Sequence, residues 1–121
     1  MIDVNNFKNI NDSFGHKAGD LVLQKLGKTI QDNVRPSDTP CRYGGDEFTL
    51  ILPETTYESA QKCAERLRKD ASSINFQFND QLIRSITLSI GISVFPEHGA
   101  TGALVLQAAD EVMYQLKQVG D

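Results

Sequence analysis

At 121 residues, 40% of them apolar and 23% charged, the chain has the make-up of one globular domain, large enough for a core and too small for two. A net charge of −4 and a pI near 5.1 argue against broad binding of nucleic acid or anionic membrane. They leave room for a nucleotide whose phosphates are neutralised by a divalent cation and a few placed basic groups. No apolar run approaches the length of a membrane span, and no basic-then-apolar leader opens the chain, so direct membrane contact is not expected. Cys41 and Cys63 lack metal-type spacing and read as buried thiols in a reducing compartment.

Met1 to Val4 reads as a short apolar strand broken by Asp3, and an aspartate inside a central strand needs a partner or a metal. Phe7, Ile10 and Phe14 follow at helical spacing, and Gly15 is placed to end that helix. Gly15 to Asp20 reads as a loop into a second helix, with Asp20 near its N-terminus and Leu23, Leu26, Ile30 and Val34 on its buried face. Pro36 forbids much continuation.

Two β-leaning runs, Thr39 to Tyr43 and Phe48 to Leu52, flank Gly44-Gly45-Asp46-Glu47. The glycine pair reads as a hairpin turn at φ > 0, with Asp46 and Glu47 opening the second strand. Acidic residues are poor strand formers. The pair is therefore either a solvated hairpin tip or a carboxylate site beside bare backbone, suited to a metal and a phosphate.

Beyond Pro53, Thr55 to Glu58 fits a capping box for a third helix whose buried face is Ala60, Cys63, Ala64, Leu67 and Ala71. Phe76 and Phe78 mark a short strand, and Asn79 to Gln81 a turn. Ile86, Leu88, Ile90, Ile92 and Val94 alternate in what reads as the longest strand. Thr101 caps a last helix burying Val105, Ala109, Val112 and Leu116. Phe48 and Tyr114 read as core, His16 as a loop anchor, and His98 as a loop residue without a partner. Asp110 reads as a support of the sheet–helix junction.

This order contains a βαββαβ core with an extra helix, a ferredoxin-like α+β fold. In that topology the third strand lies antiparallel beside the first, so Asp3 meets Asp46 and Glu47 at one sheet edge. That is a metal site in outline.

RYGGDEF, with FKxIND from Phe7, GHxxGD from Gly15, Ser89-Ile90-Gly91 and Tyr114 to Lys117 in the same order, resembles the GGDEF domain family, the diguanylate cyclases. The resemblance implies a fold similar to nucleotidyl cyclase and polymerase palm domains. It implies synthesis of cyclic di-GMP from two GTP molecules, with release of two pyrophosphates, across a homodimer. Asp3 and Asp46, with the Val4 carbonyl, are implied ligands of Mg²⁺ (or Mn²⁺), and Glu47 a third ligand or a proton acceptor. Gly44 and Gly45 would let the backbone pass against the nucleotide. Asn11 and Asp20 would read guanine, while Lys117 and the backbone N–H groups near Phe7 and Lys8 would hold phosphates. Arg35-Pro36-Ser37-Asp38 resembles the family's RxxD inhibitory site for its product, with Arg66 as a contact from a neighbouring subunit.

Three departures stand out. Asn5 replaces a second acidic residue, Asp121 stands where a basic residue is common, and the family's DxLTxLxNR segment is absent. Both ends look trimmed from a longer, cytoplasmic or membrane-anchored parent carrying a regulatory domain. Two rivals share the motifs: a GTP or cyclic di-GMP sensor without activity, and a one-subunit nucleotide cyclase.

Overall fold

All three residues of β1 (Ile2–Val4) are buried, and the domain is assembled on both faces of that strand. The computed structural model describes residues 1–120, with side chains through Gln118. After β1 come α1 (Phe7–Phe14), α2 (His16–Asp32), β2 (Thr39–Gly44), β3 (Glu47–Ile51) and α3 (Tyr57–Ser72). β4 (Asn75–Phe78), β5 (Gln81–Arg84), β6 (Leu88–Ile90) and α4 (Gly102–Gly120) complete the order. The main sheet runs β2-β3-β1-β6, antiparallel throughout, which is the ferredoxin-like order expected.

Alternation divides the sheet's residues between two faces. Ile2, Val4, Phe48, Leu88 and Ile90 join Val22, Leu26 and Ile30 of α2 and Ala64, Leu67 and Ala71 of α3 in the main core. Each fully buried Leu or Ile there contributes roughly 1.5–3 kcal/mol. Met1 and Asp3 lie on the opposite face, where Met1 packs on Ala109 and Met113 of α4. Contact there is close because Gly91 has no side chain: a Cβ would fall 2.0 Å from the Ala109 carbonyl oxygen and 2.6 Å from the Met113 nitrogen.

That contact sets the rotation of α4 and corrects the expected face. The buried row is Ala109 and Met113, whereas Val112, Leu116 and Tyr114 are exposed. Thr101 does cap the helix, accepting from the Leu104 N–H at 3.2 Å. The predicted loop from Gly15 to Asp20 is the first turn of α2 instead. Gly15 alone makes the connection, at φ 94°, with its N–H on the Asn11 carbonyl and its own carbonyl accepting from Gly19. The cap of α3 is Thr56 rather than Thr55, its hydroxyl accepting from the Ser59 N–H at 3.1 Å.

The long strand over 86–94 does not form. Gln81–Arg84 pairs with β4 as a separate hairpin, turned by Asn79 and Asp80 at φ 51° and 65°. Ser85 at φ 61° then redirects the chain. β6 is an edge strand, and its ladder can extend no further than its one partner, β1. Cys41 is exposed on the edge strand β2, against expectation, while Cys63 is buried. His98 has a partner after all: its Nδ1 accepts from the Val94 N–H at 2.8 Å. No helix among the described residues is long and apolar enough to cross a membrane.

Candidate metal and nucleotide site

The β1–β3 ladder pairs Asp3 with Glu47 and Ile2 with Phe48. Paired residues share a face, so Asp3 and Glu47 stand side by side on the α4 side of the sheet. The turn differs from expectation by one position. β2 runs through Gly44, which pairs with Glu47, and a bulge between Arg42 and Gly44 absorbs Tyr43. Gly45-Asp46 is therefore the two-residue turn, and Asp46 projects from it rather than from the strand. Neither Gly44 nor Gly45 has positive φ, so the backbone conformation does not require glycine at either position. A Cβ at either would meet nothing within 4 Å. What the pair leaves is bare, open backbone. Arg42 braces it, donating from Nε and Nη2 to the Gly45 carbonyl at 3.1 and 2.6 Å.

Asp3 is only 5% exposed. Its Oδ2 accepts from Lys117 Nζ, and its Oδ1 is buried without any hydrogen-bond partner. Burial pushes its pKa up to about 6; Lys117 opposes that shift and the neighbouring Asp46 carboxylate adds to it. Among the described residues no group of three or more His, Cys, Asp or Glu is already arranged around a cation. The donor set nonetheless fits Mg²⁺, which is commonly held by one or two carboxylates with substrate phosphates completing the shell. Asp3 Oδ1 is an unused hard oxygen beside Asp46.

Asn5 is committed elsewhere. Its Oδ1 accepts from the Ser89 hydroxyl at 2.6 Å, and its Nδ2 donates to Thr87 Oγ1 at 3.2 Å. The end of β1 is thus pinned to the start of β6, a role that the sequence alone did not suggest.

On the other side of Asn5, α1 begins at Asn6 with φ 57° and no side-chain cap. Its first helical bond joins the Ile10 N–H to the Asn6 carbonyl, so the N–H groups of Phe7 and Lys8 point out of the helix end. Asn11 Oδ1 is buried and unpartnered. α2 crosses directly against it at Gly19, and Asp20 follows, exposed.

Arg35 and Asp38 form a second, separate constellation. The Arg35 N–H donates to Asp38 Oδ2 at 2.8 Å, and Nη2 reaches Asp38 Oδ1 at 3.3 Å, Thr55 Oγ1 at 2.8 Å and the Pro53 carbonyl at 3.2 Å. Burial alone would raise the Asp38 pKa, but Arg35's backbone N–H and guanidinium outweigh it and hold the carboxyl below its usual range. A cavity of about 240 Å³ opens there, with Lys62, Cys63 and Arg66 on its α3 wall. A larger, mainly apolar cavity of about 610 Å³ lies at the Met1 end of the sheet, between β3 and α4, and includes neither Asp3 nor Asp46.

The family model for "Diguanylate cyclase, GGDEF domain" matches residues 1–121. The chain belongs to the GGDEF family. It is 42% identical to the response regulator PleD of Caulobacter vibrioides over 121 residues, 99% of this chain and 27% of PleD. The GGDEF domain of YfiN (TpbB) from Pseudomonas aeruginosa superposes with a TM-score of 0.88 at 38% identity, over 98% of this chain and 73% of that one. DgcB of Caulobacter crescentus, solved in complex with c-di-GMP, gives 0.90 at 30% identity, over 98% and 70%.

Within this GGDEF domain, the fold brings Asp3, Val4, Asp46, Glu47, Gly44 and Gly45 to one end of the β1–β3 pair, as read from sequence. Phe7, Lys8, Asn11 and Asp20 line the neighbouring α1–α2 corner. Lys117 reaches this end of the sheet, where it pairs with Asp3. Arg66 is exposed, on the cavity beside Arg35 and Asp38. Arg42, Ser89 and Thr55 are supports whose roles sequence reasoning missed, although all three lay inside quoted motifs: Arg42 in RYGGDEF, Ser89 in Ser89-Ile90-Gly91 and Thr55 in the capping box. Asp121 lies outside the described residues.

Proposed function

We propose that this GGDEF domain is the catalytic part of a diguanylate cyclase, joining two GTP molecules into cyclic di-GMP and two pyrophosphates. The observation that carries the reading is the buried Asp3 carboxylate, with one oxygen unpartnered, beside Asp46 on a turn whose backbone is bare. Asp3, Asp46 and the Val4 carbonyl would hold Mg²⁺, which would neutralise α-phosphate charge and acidify the attacking ribose 3′-OH. Glu47 stands next to Asp3, suited either to complete the metal's ligands or to accept the 3′-OH proton. Oxygen–phosphorus bond formation then expels pyrophosphate, once in each direction. The uncapped N–H groups of Phe7 and Lys8 suit the leaving phosphates, and the unused Asn11 oxygen and the Asp20 carboxylate suit guanine's N–H edge.

One subunit supplies a single set of these groups, so the reading requires a homodimer with the two half-sites facing. The Arg35–Asp38 pocket, with Arg66 from either subunit, suits a guanine edge and a phosphate of the product and would make it an inhibitor. A regulatory domain elsewhere in the parent would control pairing. The reading sets the domain in the cytoplasm, where GTP is made.

The test is GTP turnover with Mg²⁺ in the intact parent, or in the domain fused to a dimerising coiled coil. Cyclic di-GMP formed by the unaltered protein and absent with Asp46→Asn supports the cyclase. Folded protein that binds GTP but forms no product favours a second reading, a cyclic di-GMP or GTP sensor. The specific observation behind that alternative is the preformed Arg35–Asp38 pair alongside Asn5.

A further inference from the structure

We infer that Lys117 is a stand-in for the divalent cation: its ammonium neutralises the Asp3 carboxylate that the metal would use, and metal binds tightly only when the ammonium moves off it. The inference rests on the metal reading above and concerns what this chain does without its ligands. Gly91 lets α4 lie directly on β6, which fixes the row Ala109, Met113 and Lys117 along the Asp3 face at i, i+4, i+8. Lys117 Nζ lands on Asp3 Oδ2, with its side chain 27% exposed against 8% for Asp3. The aspartate is thus buried and fixed, whereas the lysine has a flexible stem and a route to solvent.

Three carboxylates, Asp3, Asp46 and Glu47, gather at this end of the sheet, and Lys117 pairs with Asp3 among them. An ammonium and a divalent ion on one carboxylate repel strongly at such separations, even with an effective dielectric constant of about 20. The two cations therefore compete for the charge of Asp3, each weakening the other's hold on it. The metal alone must displace an existing ion pair and leave the ammonium without a partner. A metal arriving with a triphosphate offers that ammonium a new anion a short swing away. Metal and nucleotide consequently bind with positive coupling, and each raises the other's affinity by the same factor. The device disfavours metal binding until nucleotide is present.

The test is Mn²⁺ binding, read from the paramagnetic resonance signal of the free ion, with and without a non-hydrolysable GTP analogue. The proteins are the unaltered domain, Lys117→Met, Lys117→Ala, Lys117→Arg and Asp3→Asn, each checked for folding by circular dichroism. Without nucleotide, Lys117→Met and Lys117→Ala should bind Mn²⁺ about tenfold more tightly or better, while Lys117→Arg stays weak and Asp3→Asn binds least. The analogue should then raise Mn²⁺ affinity less in Lys117→Met than in the unaltered chain. Unchanged or weaker nucleotide-free Mn²⁺ binding in Lys117→Met and Lys117→Ala would overturn the stand-in role, and the metal reading would survive it if Asp3→Asn still abolished binding. Absence of Mn²⁺ binding in every protein, with the analogue present, would overturn both.

Discussion

Gly19 lies so close to Asn11 that a Cβ on it would fall 1.9 Å from Asn11 Oδ1 and 3.1 Å from Phe7 Cζ. The nearest atom is the tip of a short polar side chain, which can rotate away. Gly19→Ala also gains up to about 1 kcal/mol of helix propensity inside α2. The fold should therefore tolerate the change, with stability shifting by less than about 1 kcal/mol. Asn11, however, must give up its present aim. Binding of GTP should weaken by about tenfold or more, the effect of losing one well-placed hydrogen bond. Calorimetric titration with GTP beside a thermal melt separates the two effects.

Gly91 presents the opposite case. A Cβ there meets backbone, the Ala109 carbonyl and the Met113 nitrogen, and neither can rotate away. Gly91→Ala should push α4 off β6 and destabilise the domain by about 1–3 kcal/mol. Because Lys117 rides on α4, the Asp3–Lys117 pair should loosen with it. A denaturant melt gives the first effect, and the Lys117 side-chain resonances in NMR spectra give the second.

The meeting of Asp3 with Asp46 and Glu47 was legible in the sequence because it depends on topology alone: an antiparallel third strand beside the first suffices. The phase of the turn was not, because the bulge at Tyr43 leaves no periodic trace and shifts the two-residue turn to Gly45-Asp46. Nor was the buried face of α4. Val112 and Met113 are equally apolar neighbours, and the backbone contact at Gly91 decides between them. Pairing of Lys117 with Asp3 across the whole chain has no local signal at all. Ile86 to Val94 kept a strand's alternation, but only Leu88–Ile90 found a partner, in β1: alternation reports burial, and a ladder also needs a neighbour.

Asp3 gives the ligand-free domain a defined pH dependence. Its carboxyl has a folded-state pKa of about 6, above the ordinary 3.8. Between those values the folded chain holds a proton that the unfolded chain has lost, so stability falls as pH rises from about 4 to about 6 and is level beyond. Asp3→Asn should abolish that slope and, at pH 7 without metal, be more stable by on the order of 1–3 kcal/mol. It should also lose Mg²⁺-dependent turnover. Urea melts at pH 4.5 and 7 decide the matter; equal slopes in both proteins would remove Asp3 as the source.

Arg42 braces the turn from outside, its guanidinium forked onto the Gly45 carbonyl. The hydrogen bonds are exposed, so Arg42→Ala should cost less than about 1 kcal/mol of stability. Asp46 sits in the braced turn, and catalytic geometry is far less tolerant of displacement than stability is. Turnover at saturating GTP should fall by about tenfold or more. Arg42→Lys should rescue little, because an ammonium cannot reproduce the two-nitrogen fork. Steady-state kinetics beside a thermal melt tests both variants.

Arg35 is already engaged by Asp38, Thr55 and the Pro53 carbonyl, so its guanidinium is oriented before any ligand arrives. That preorganisation lowers the entropy lost on binding a guanine edge or a phosphate. Arg35→Ala should weaken cyclic di-GMP binding by about tenfold to a hundredfold, as expected for a charge-assisted bidentate contact. Turnover measured before product accumulates should be unchanged, because Arg35 is remote from Asp3 and Asp46, and the slowing of progress curves by product should disappear. Asp38→Asn keeps the shape but loses the carboxylate that fixes Arg35, and should fall between the two. Unchanged product inhibition in Arg35→Ala would place the inhibitory contact elsewhere on the domain.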